Sequence, residues 1–344
     1  MEKASRSIYV CIYCDYYTPN RTLELMKAII LIIFSFCSFS AEKVWVDYDV
    51  SFGKVIRDVD DGFALITALK SPKLEVQGIS IGFGNLKNLN FMAKATRRIL
   101  ARTNKTHIPF YYGAWLKSRR FDKTDATEAL AAALRKNPLK IMAMGRLTNM
   151  AALIKNYPEL KSQIKEIIIN AGRRLETETE VGRQRVIMPD TNIDDDVESM
   201  RYLMNSGVKV TMLPVEIMKE AFVTRQHLKQ MRRAGGVSKW MARNSYVWRW
   251  IWKFFPNSKG FIPWDVFIVT YLTHREEMKC DEDIPITLAY LKNNTSSLFR
   301  KKYKKKYKDF LVASYKLDSP FKGTYCYEMD KSHLDNIVNR WSKY

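Results

Sequence analysis

A short stretch of the chain carries five aspartates just behind a hydrophobic run, and these residues are its strongest candidates for chemistry. The stretch reads VWVDYDVSFGKVIRDVDDGFAL and contains Asp47, Asp49, Asp58, Asp60 and Asp61. The whole chain has a formal net charge of +21. Carboxylates crowded in this way would repel one another strongly unless a cation lies among them. Because carboxylate oxygens are the preferred ligands of hard divalent cations, the stretch predicts a metal site.

The segments around these aspartates alternate between short β-branched runs and longer helical patterns. The predicted strands are Val44–Asp47, Leu74–Ile81, Leu139–Ala143, Glu166–Asn170 and Val208–Leu213. The predicted helices are Gly62–Leu69, Leu89–Arg102, Thr127–Arg135, Leu147–Lys155 and Asp196–Asn205. Strands separated by helices indicate a doubly wound α/β fold, with a mainly parallel sheet covered by helices on both faces. Ligands bind at the carboxyl ends of such strands, and the acidic stretch begins where the first strand ends.

The composition is that of a globular protein, with 47% hydrophobic and 12% aromatic residues. We expect a single α/β domain over residues 42–344 with a basic C-terminal segment. The calculated pI of about 9.6 fits an anionic partner, but it fits solubility equally well. The densest basic run is Arg300–Lys308, which is either a solvated loop or a contact with a polyanion or membrane surface. A homo-oligomer is also left open.

Residues 1–41 have the features of a targeting segment preceded by an extension. Met26 and Lys27 are followed by AIILIIFSFCSFSA, an apolar run of signal-peptide length that ends in small residues. We therefore predict a start at Met26, cleavage near Ala41 and export to the periplasm or the medium. The alternative is an uncleaved N-terminal membrane anchor, although the run is short for a membrane span.

The cysteines outside that segment are Cys280 and Cys326. In an oxidising compartment two cysteines can form a disulfide, which here would attach the C-terminal segment to the body of the domain. Two buried free thiols are the alternative that the sequence leaves open.

Several motifs in order along the chain resemble the inosine-uridine-preferring nucleoside hydrolase family. They are DYD with DVDDGFAL, IGFGN, MGRLTNMAAL, INAGRR, PDTNIDDD and PWDVFIVTYL, and they lie within residues 43–275. Each motif is weak alone, whereas their common order is specific. The resemblance implies a calcium-dependent hydrolase that cleaves the N-glycosidic bond of ribonucleosides and releases ribose and base.

The resemblance also implies a set of calcium ligands. Asp49, Asp61 and Asp265 would supply carboxylates, and Met144 would supply its backbone carbonyl. With Asp61 contributing both of its oxygens, and with two ribose hydroxyls and one water, these groups offer about eight oxygens, which suits Ca²⁺ better than Mg²⁺. The ion would hold the sugar diol and present the water.

By the same resemblance, Asp60 would be the general base that takes a proton from this water. Adjacent residues at a helix start point in different directions, so Asp61 can bind the ion while Asp60 faces the water. Other polar residues would hold the ribose: Asn85, Asp190, Asn192 and, in a position where the family often has Asn, Gln184.

The sequence departs from the family pattern at three places. The loop 50–59 is longer than the usual DxDPGxDD turn, and the stretch 113–127 is shorter than the usual flap, with Trp115, Arg119 and Arg120 as its candidate contacts. Many members have His before the last calcium ligand, whereas this chain has Trp264. Tryptophan cannot donate a proton as an acid, but it can stack on a base such as a purine.

Two other functions compete with nucleoside hydrolysis. A non-catalytic relative could keep the calcium site and bind a glycoside or an anionic surface. A phosphatase of the haloacid-dehalogenase type is suggested by DYDV at a strand end, but that reading leaves PDTN and PWD unexplained.

Overall fold

The computed structural model describes residues 41–86, 88–178, 180–296, 305–330 and 332–344. The predicted leader, except for Ala41, and residues 300–304 of the basic run lie outside these ranges. Within them, no helix combines the length and apolar character that crossing a membrane requires.

Short and long strands build one large sheet and two small ribbons. The strands are β1 (Glu42–Tyr48), β2 (Leu74–Ile81), β3 (Phe110–Tyr112), β4 (Leu139–Ala143), β5 (Ile164–Ile169), β6 (Arg173–Arg174), β7 (Glu180–Val181), β8 (Val186–Ile187), β9 (Val210–Met212), β10 (Val223–Thr224), β11 (Gly260–Phe261), β12 (Met278–Lys292), β13 (Tyr307–Ala313) and β14 (Lys322–Met329). In the described ranges the large sheet has ten strands, in the order β3-β2-β1-β4-β5-β9-β14-β12-β13-β6.

The first part of the large sheet is parallel. Strands β3, β2, β1, β4, β5 and β9 all pair in parallel, and β14 joins β9 in the same sense. The pairs β14–β12 and β12–β13 are antiparallel and extend the sheet. The chain proceeds from β1 to β2 and β3 on one side and returns to β4 on the other. The order therefore reverses between β1 and β4, which is where doubly wound sheets bind ligands.

Helices connect the strands and cover both faces of the sheet. They are α1 (Asp60–Lys70), α2 (Leu89–Arg102), α3 (Asp125–Lys136), α4 (Thr148–Asn156), α5 (Thr191–Asp194), α6 (Val197–Ser206), α7 (Val215–Met218), α8 (Arg225–Ala234), α9 (Gly236–Phe254), α10 (Val266–Thr273) and α11 (His333–Trp341). Short 3₁₀ helices occupy Lys117–Arg119, Pro158–Gln163 and Arg275–Glu277. Two buried hydrophobic clusters lie between these layers.

Helix α1, which carries two of the five aspartates, is held firmly in the core. Its residues from Asp60 to Leu69 are all buried. The Phe63 ring meets the Trp341 ring edge to face at 4.8 Å, and the Trp341 indole N–H donates to the Thr67 hydroxyl at 2.8 Å. A Cβ at Gly62 would lie 2.3 Å from the Phe52 ring, so only glycine allows this close approach. The start of α1 is consequently a rigid place for reactive side chains.

The structure confirms the predicted fold class. Strands β2 and β4 and helix α2 have the predicted bounds, and the other predicted elements differ from the observed ones by a few residues. Cys280 and Cys326 form a disulfide, which resolves the alternative that the sequence left open. It links β12 to β14, where these two residues face each other in the antiparallel ladder.

Candidate active site

Three predicted site residues follow the carboxyl ends of strands on both sides of the switch point: Asp49 follows β1, Asn85 follows β2 and Met144 follows β4. Asn170, to which the sequence assigned no role, follows β5 in the same way. Parallel strands end at the same edge of a sheet, so these residues meet although they lie far apart in sequence. Together with distant Asp265, all of them line one cavity with a volume of about 510 Å³.

The loop after β1 is closed by hydrogen bonds that fix the start of α1. Asp58 accepts the backbone N–H of Val59 at 2.7 Å and that of Asp60 at 3.3 Å. The Ser51 hydroxyl donates to the Asp58 carbonyl at 2.7 Å, which closes the loop. The sequence assigned no role to Asp58. Its carboxylate helps to order the helix N-terminus and also lines the cavity.

Three buried carboxylates converge on one point. Oxygens of Asp60, Asp61 and Asp265 all lie within 4.8 Å of one another. Asp60 lines the cavity, whereas Asp61 is fully buried and is not among the lining residues. Burial raises the pKa of all three carboxyls well above the ordinary value, and repulsion from neighbouring carboxylates, Asp58 among them in each case, raises it further. A cation among them would relieve both costs.

Asp49 is held by two neighbours. Its carboxylate forms an ion pair with Arg146, which also pairs with Asp195 at 2.6 Å. The Asn85 amide donates to Asp49 at 3.0 Å and to Asp61 at 3.1 Å, so one side chain bridges two predicted calcium ligands. Burial raises the pKa of Asp49, while Arg146 acts against that shift. Asn85 is therefore placed to set the spacing of the two carboxylates.

The predicted sugar contacts of the PDTN motif reach the same cavity. The Asn192 amide donates to the carbonyls of Met144 and Asn170, both at 3.4 Å. Asp190 accepts the backbone N–H of Gly172 at 2.7 Å, and burial raises its pKa to about 6. Both side chains line the cavity, which is where the sequence places the ribose.

Asp47 supports this edge of the sheet from within β1. It is buried, and it accepts a hydrogen bond from the Asn149 amide at 2.7 Å. Asn149 in turn accepts the backbone N–H of Ala114 at 2.9 Å. Burial raises the pKa of Asp47 to about 7. The residue is not among those that line the cavity, so it positions neighbouring segments rather than meeting a ligand there.

One wall of the cavity is aromatic. Trp248, Trp252 and Trp264 line it, and the rings of Trp252 and Trp264 are 6.0 Å apart. The indole N–H of Trp248 is buried without a hydrogen-bond partner in the described structure. Such a wall can stack on a planar ring, and it offers one free donor to that ring.

Other predicted contacts lie elsewhere. Gln184 is exposed, donates to the Phe254 carbonyl at 3.3 Å and is not among the residues lining the cavity. Trp115 lines a neighbouring cavity that shares Asn85 with the first. Arg120 is occupied by an ion pair with Asp196 at 2.7 Å.

The residues present fit a hard divalent cation. One oxygen of Asp61 is fully buried and has no hydrogen-bond partner in the described structure, which is costly for a carboxylate unless a ligand occupies that position. The donors that converge here are all oxygens, as such cations prefer. Asp60, Asp61 and Asp265 form the cluster, Asp49 shares the Asn85 amide with Asp61, and Met144 lines the same cavity.

Besides Asp58, sequence reasoning assigned no role to Arg146, Trp248 and Arg173. Arg146 lies inside the MGRLTN motif, but its pairing with Asp49 spans 97 positions and has no local signal. Trp248 and Arg173 line the cavity from α9 and β6. The tryptophan-rich composition of α9 was the available signal for Trp248. Arg173 stands in the INAGRR motif, where the motif alone does not show which of its two arginines faces the cavity.

Comparison with solved structures finds the same fold. A plant nucleoside hydrolase, the PpNRh1 enzyme, aligns with a TM-score of 0.70 and 16% identity, covering 89% of this chain and 100% of that chain. A purine-preferring ribonucleoside hydrolase from Gardnerella vaginalis aligns with a TM-score of 0.67 and 19% identity, covering 88% and 98%.

Comparison with known sequences gives partial matches. The pyrimidine-specific ribonucleoside hydrolase RihA of Klebsiella pneumoniae (strain 342) is 25% identical over 203 residues, covering 51% of this chain and 63% of that protein. RihA of Salmonella newport (strain SL254) is 27% identical over 204 residues with the same coverage. The chain thus spans less than two thirds of the length of the curated relatives it matches.

The profile that describes the inosine-uridine preferring nucleoside hydrolases matches residues 44–312. This range contains Asp49, Asp60, Asp61, Met144 and Asp265, and it covers most of the chain. The match, the solved structures and the position of the acid cluster at the switch point agree with the resemblance found in the motifs. The chain belongs to the inosine-uridine preferring nucleoside hydrolase family.

Proposed function

We propose that this protein is a calcium-dependent hydrolase that cleaves the N-glycosidic bond of ribonucleosides and releases ribose and base. The observation that carries the proposal is the convergence of Asp60, Asp61 and Asp265 at the switch point, with Asp60 lining the cavity and Asp61 behind it. The family match and the ribonucleoside hydrolases among the relatives support the same reaction.

Asp61, Asp265, Asp49 and the Met144 carbonyl would hold the cation. When bound, calcium would supply positive charge that grips the two ribose hydroxyls and makes a nearby water easier to deprotonate. Ca²⁺ accepts six to eight oxygens in flexible geometry, whereas Mg²⁺ demands a strict octahedron and keeps several waters. The many oxygens around this point favour calcium.

Asp60 would take the proton from the attacking water. It lines the cavity, and burial among like charges raises the pKa of its carboxyl. A cation among these carboxylates would act against that shift and keep Asp60 ionised, so that it could accept a proton from water. The bond from C1′ to the base nitrogen would break as positive charge develops on the sugar, as in other glycosidic cleavages. Asn85, Asp190 and Asn192 would hold the ring in place.

The aromatic wall would receive the base. Trp264 stands where many family members have His, and its indole cannot protonate the leaving nitrogen. The base would therefore take its proton from solvent while it stacks on Trp264. Purines and pyrimidines both have a face suitable for stacking, so the wall serves either.

A nucleoside panel tests the proposal. Purified protein is incubated with uridine, cytidine, inosine, adenosine and guanosine, with calcium or with an excess of chelator, and free ribose is assayed. We expect ribose from at least one nucleoside, loss of release with chelator and recovery when calcium is restored. Calcium binding without ribose from any nucleoside would contradict the proposal and favour a non-catalytic binding protein. Phosphate release from phosphomonoesters that depends on magnesium and Asp47 would favour a phosphatase.

We also propose that the protein acts outside the cytoplasm. The apolar run after Met26 supports export, and the Cys280–Cys326 disulfide is of the kind that persists in oxidising compartments. Expression with a C-terminal tag followed by cell fractionation tests this, and a purely cytoplasmic protein with free thiols would contradict it.

A further inference from the structure

Arg173 brings a positive charge into a cavity whose other charged residues are mainly acidic. It lies in β6, directly after Gly172, and it lines the cavity together with Phe310. Its guanidinium carbon lies 4.0 Å from the centre of the Phe310 ring, and one terminal nitrogen donates to the Asn294 side chain at 3.3 Å. These contacts fix the side chain without neutralising it.

Arg173 lacks the carboxylate partner that neighbouring cations have. Arg174 pairs with Asp281, and Lys308 pairs with Asp194 at 2.6 Å. Among the residues that the structure describes, Arg173 forms no ion pair. Burial lowers the pKa of its guanidinium, and the carboxylates of Glu178 and Asp190, which form no ion pair with it, act against that shift only in part.

Two donors at this place are also left without acceptors. The Nε atom of Arg173 and the amide nitrogen of Asn294 are both buried and have no hydrogen-bond partner in the described structure. Asp190, on the adjacent loop, is directed to the backbone N–H groups of Gly172 and Ile193. A cation with unmet donors matches a ligand group that is anionic and rich in acceptor oxygens.

The cavity thus offers an acidic region for a cation and a separate basic group for an anion. Under the proposed function, on which this step rests, the 2′ and 3′ hydroxyls of the ribose bind the cation and the base meets the tryptophans. A phosphate on either of those hydroxyls would interfere with the cation. The position left for an anionic group is the 5′ carbon.

We infer that the substrates of this site include ribonucleoside 5′-monophosphates, with Arg173 binding the phosphate. The reaction remains a hydrolysis and needs no co-reactant other than water. The bond between C1′ and the base nitrogen breaks and its electrons leave with the base. Water oxygen bonds to C1′, and the two protons of water end on the new hydroxyl and on the base. The products are ribose 5-phosphate and free base.

The test compares monophosphates with nucleosides. Release of free base from uridine, uridine 5′-monophosphate, inosine and inosine 5′-monophosphate is measured with calcium-loaded protein. We expect kcat/KM to be higher for the monophosphate of at least one pair. Arg173→Gln should lower the ratio of monophosphate to nucleoside efficiency by about 10- to 100-fold, as expected for a hydrogen-bonded charge pair. Arg173→Lys keeps the charge but loses the two parallel donors of the guanidinium. Its ratio of monophosphate to nucleoside efficiency should lie between those of the wild type and Arg173→Gln.

The matched control is Arg232→Gln, which removes the same charge from the exposed surface of α8. It should leave the ratio unchanged. A wild-type ratio at or below one for both pairs overturns the inference. A ratio that Arg173→Gln leaves unchanged also overturns it. Exposed Arg57 is the other arginine that lines this cavity, so a ratio that falls in Arg57→Gln but not in Arg173→Gln overturns it as well.

A binding arm separates this inference from the proposed function. Ribose 5-phosphate and ribose are titrated into calcium-loaded Asp60→Asn protein by calorimetry. Ribose 5-phosphate should bind more tightly than ribose, and this difference should disappear when Arg173→Gln is added to the Asp60→Asn protein. That result supports the phosphate site even if no substrate is hydrolysed. Hydrolysis of nucleosides with no preference for phosphate in either arm overturns the inference and leaves the proposed function standing.

Discussion

At the scale of single residues, neighbouring carboxylates in this site face different surroundings. Asp60 lines the cavity, and Asp61 next to it is fully buried, with one oxygen that no described group satisfies. The difference follows from their position at the start of α1, where consecutive side chains project in different directions. It supports a division of labour in which Asp61 binds the cation and Asp60 acts on water.

Trp264 provides a test of the aromatic wall. Trp264→Ala removes a half-buried indole that lies against Trp252, and we expect kcat/KM for the preferred nucleoside to fall by roughly 10-fold because stacking is lost. The control Trp250→Ala changes an indole of α9 that is 57% exposed and should leave kcat/KM within twofold, roughly the scatter expected of a surface substitution. Equal effects of the two substitutions, measured by base release, would contradict the assignment.

At the scale of elements, the strand ends and the turns after them position the site. The turn after β2 brings Gly84 against the carboxylate of Asp49, and a Cβ at Gly84 would lie 1.6 Å from an Asp49 oxygen. The backbone N–H of Asn85, the next residue, donates to that carboxylate at 3.0 Å. This turn and the end of β1 therefore form one unit around the predicted calcium ligand.

Substitution of Gly84 tests that unit. Gly84→Ala must displace Asp49 or the turn, so we expect calcium affinity to fall at least tenfold and stability to fall by about 1–3 kcal/mol. Gly207→Ala is the control: its φ of +76° disfavours a side chain, but nothing lies within 4 Å of the added Cβ. It should cost roughly 1 kcal/mol and leave calcium affinity unchanged. Calorimetry and urea unfolding give the two readouts, and unaltered calcium binding in Gly84→Ala would contradict the prediction.

The sequence predicted the elements with strong local signals. Helix α2 is predictable to the residue from its regular apolar face, and the structure adds that Asn88 caps it by accepting the Phe91 N–H at 3.0 Å. Strand β6 could not be predicted, because it has two residues and exists through pairing with β13, more than 130 positions later. The pairing of Arg146 with Asp49 was missed for the same reason, since both depend on contacts that only the folded chain creates.

At the scale of the whole molecule, charge is distributed unevenly. The chain has a net charge of +21, yet it buries a group of carboxylates at one edge of its sheet. Burial of like charges opposes folding at neutral pH unless a cation binds. We expect the acid cluster to lower stability in the absence of calcium and to contribute to stability in its presence.

The pH dependence of stability tests this expectation. The pKa of Asp47 is raised to about 7, and burial raises the pKa values of Asp60, Asp61 and Asp265 well above their ordinary value of 3.8. The folded protein then holds protons that the unfolded chain has already released. In chelator, the free energy of unfolding should therefore fall as pH rises from 7 to 8.5.

Calcium provides the control for that measurement. It keeps the carboxylates ionised in the folded state, so the fall between pH 7 and 8.5 should shrink when calcium is saturating. Half-buried His274 and buried His333 have pKa values lowered to about 4 and about 3, so they stay neutral in the folded protein across this range. Urea unfolding with the same slope against pH in chelator and in calcium would contradict the prediction.

The division of labour between Asp60 and Asp61 is tested most directly by measuring calcium binding and base release in the same two variants. In Asp60→Asn we expect calcium to bind within a few-fold of wild type while turnover falls by about 10²- to 10⁴-fold, because the base is lost and the ion is kept. In Asp61→Asn we expect calcium binding itself to be lost. Substantial turnover by Asp60→Asn, or a loss of calcium in Asp60→Asn equal to that in Asp61→Asn, would contradict the account.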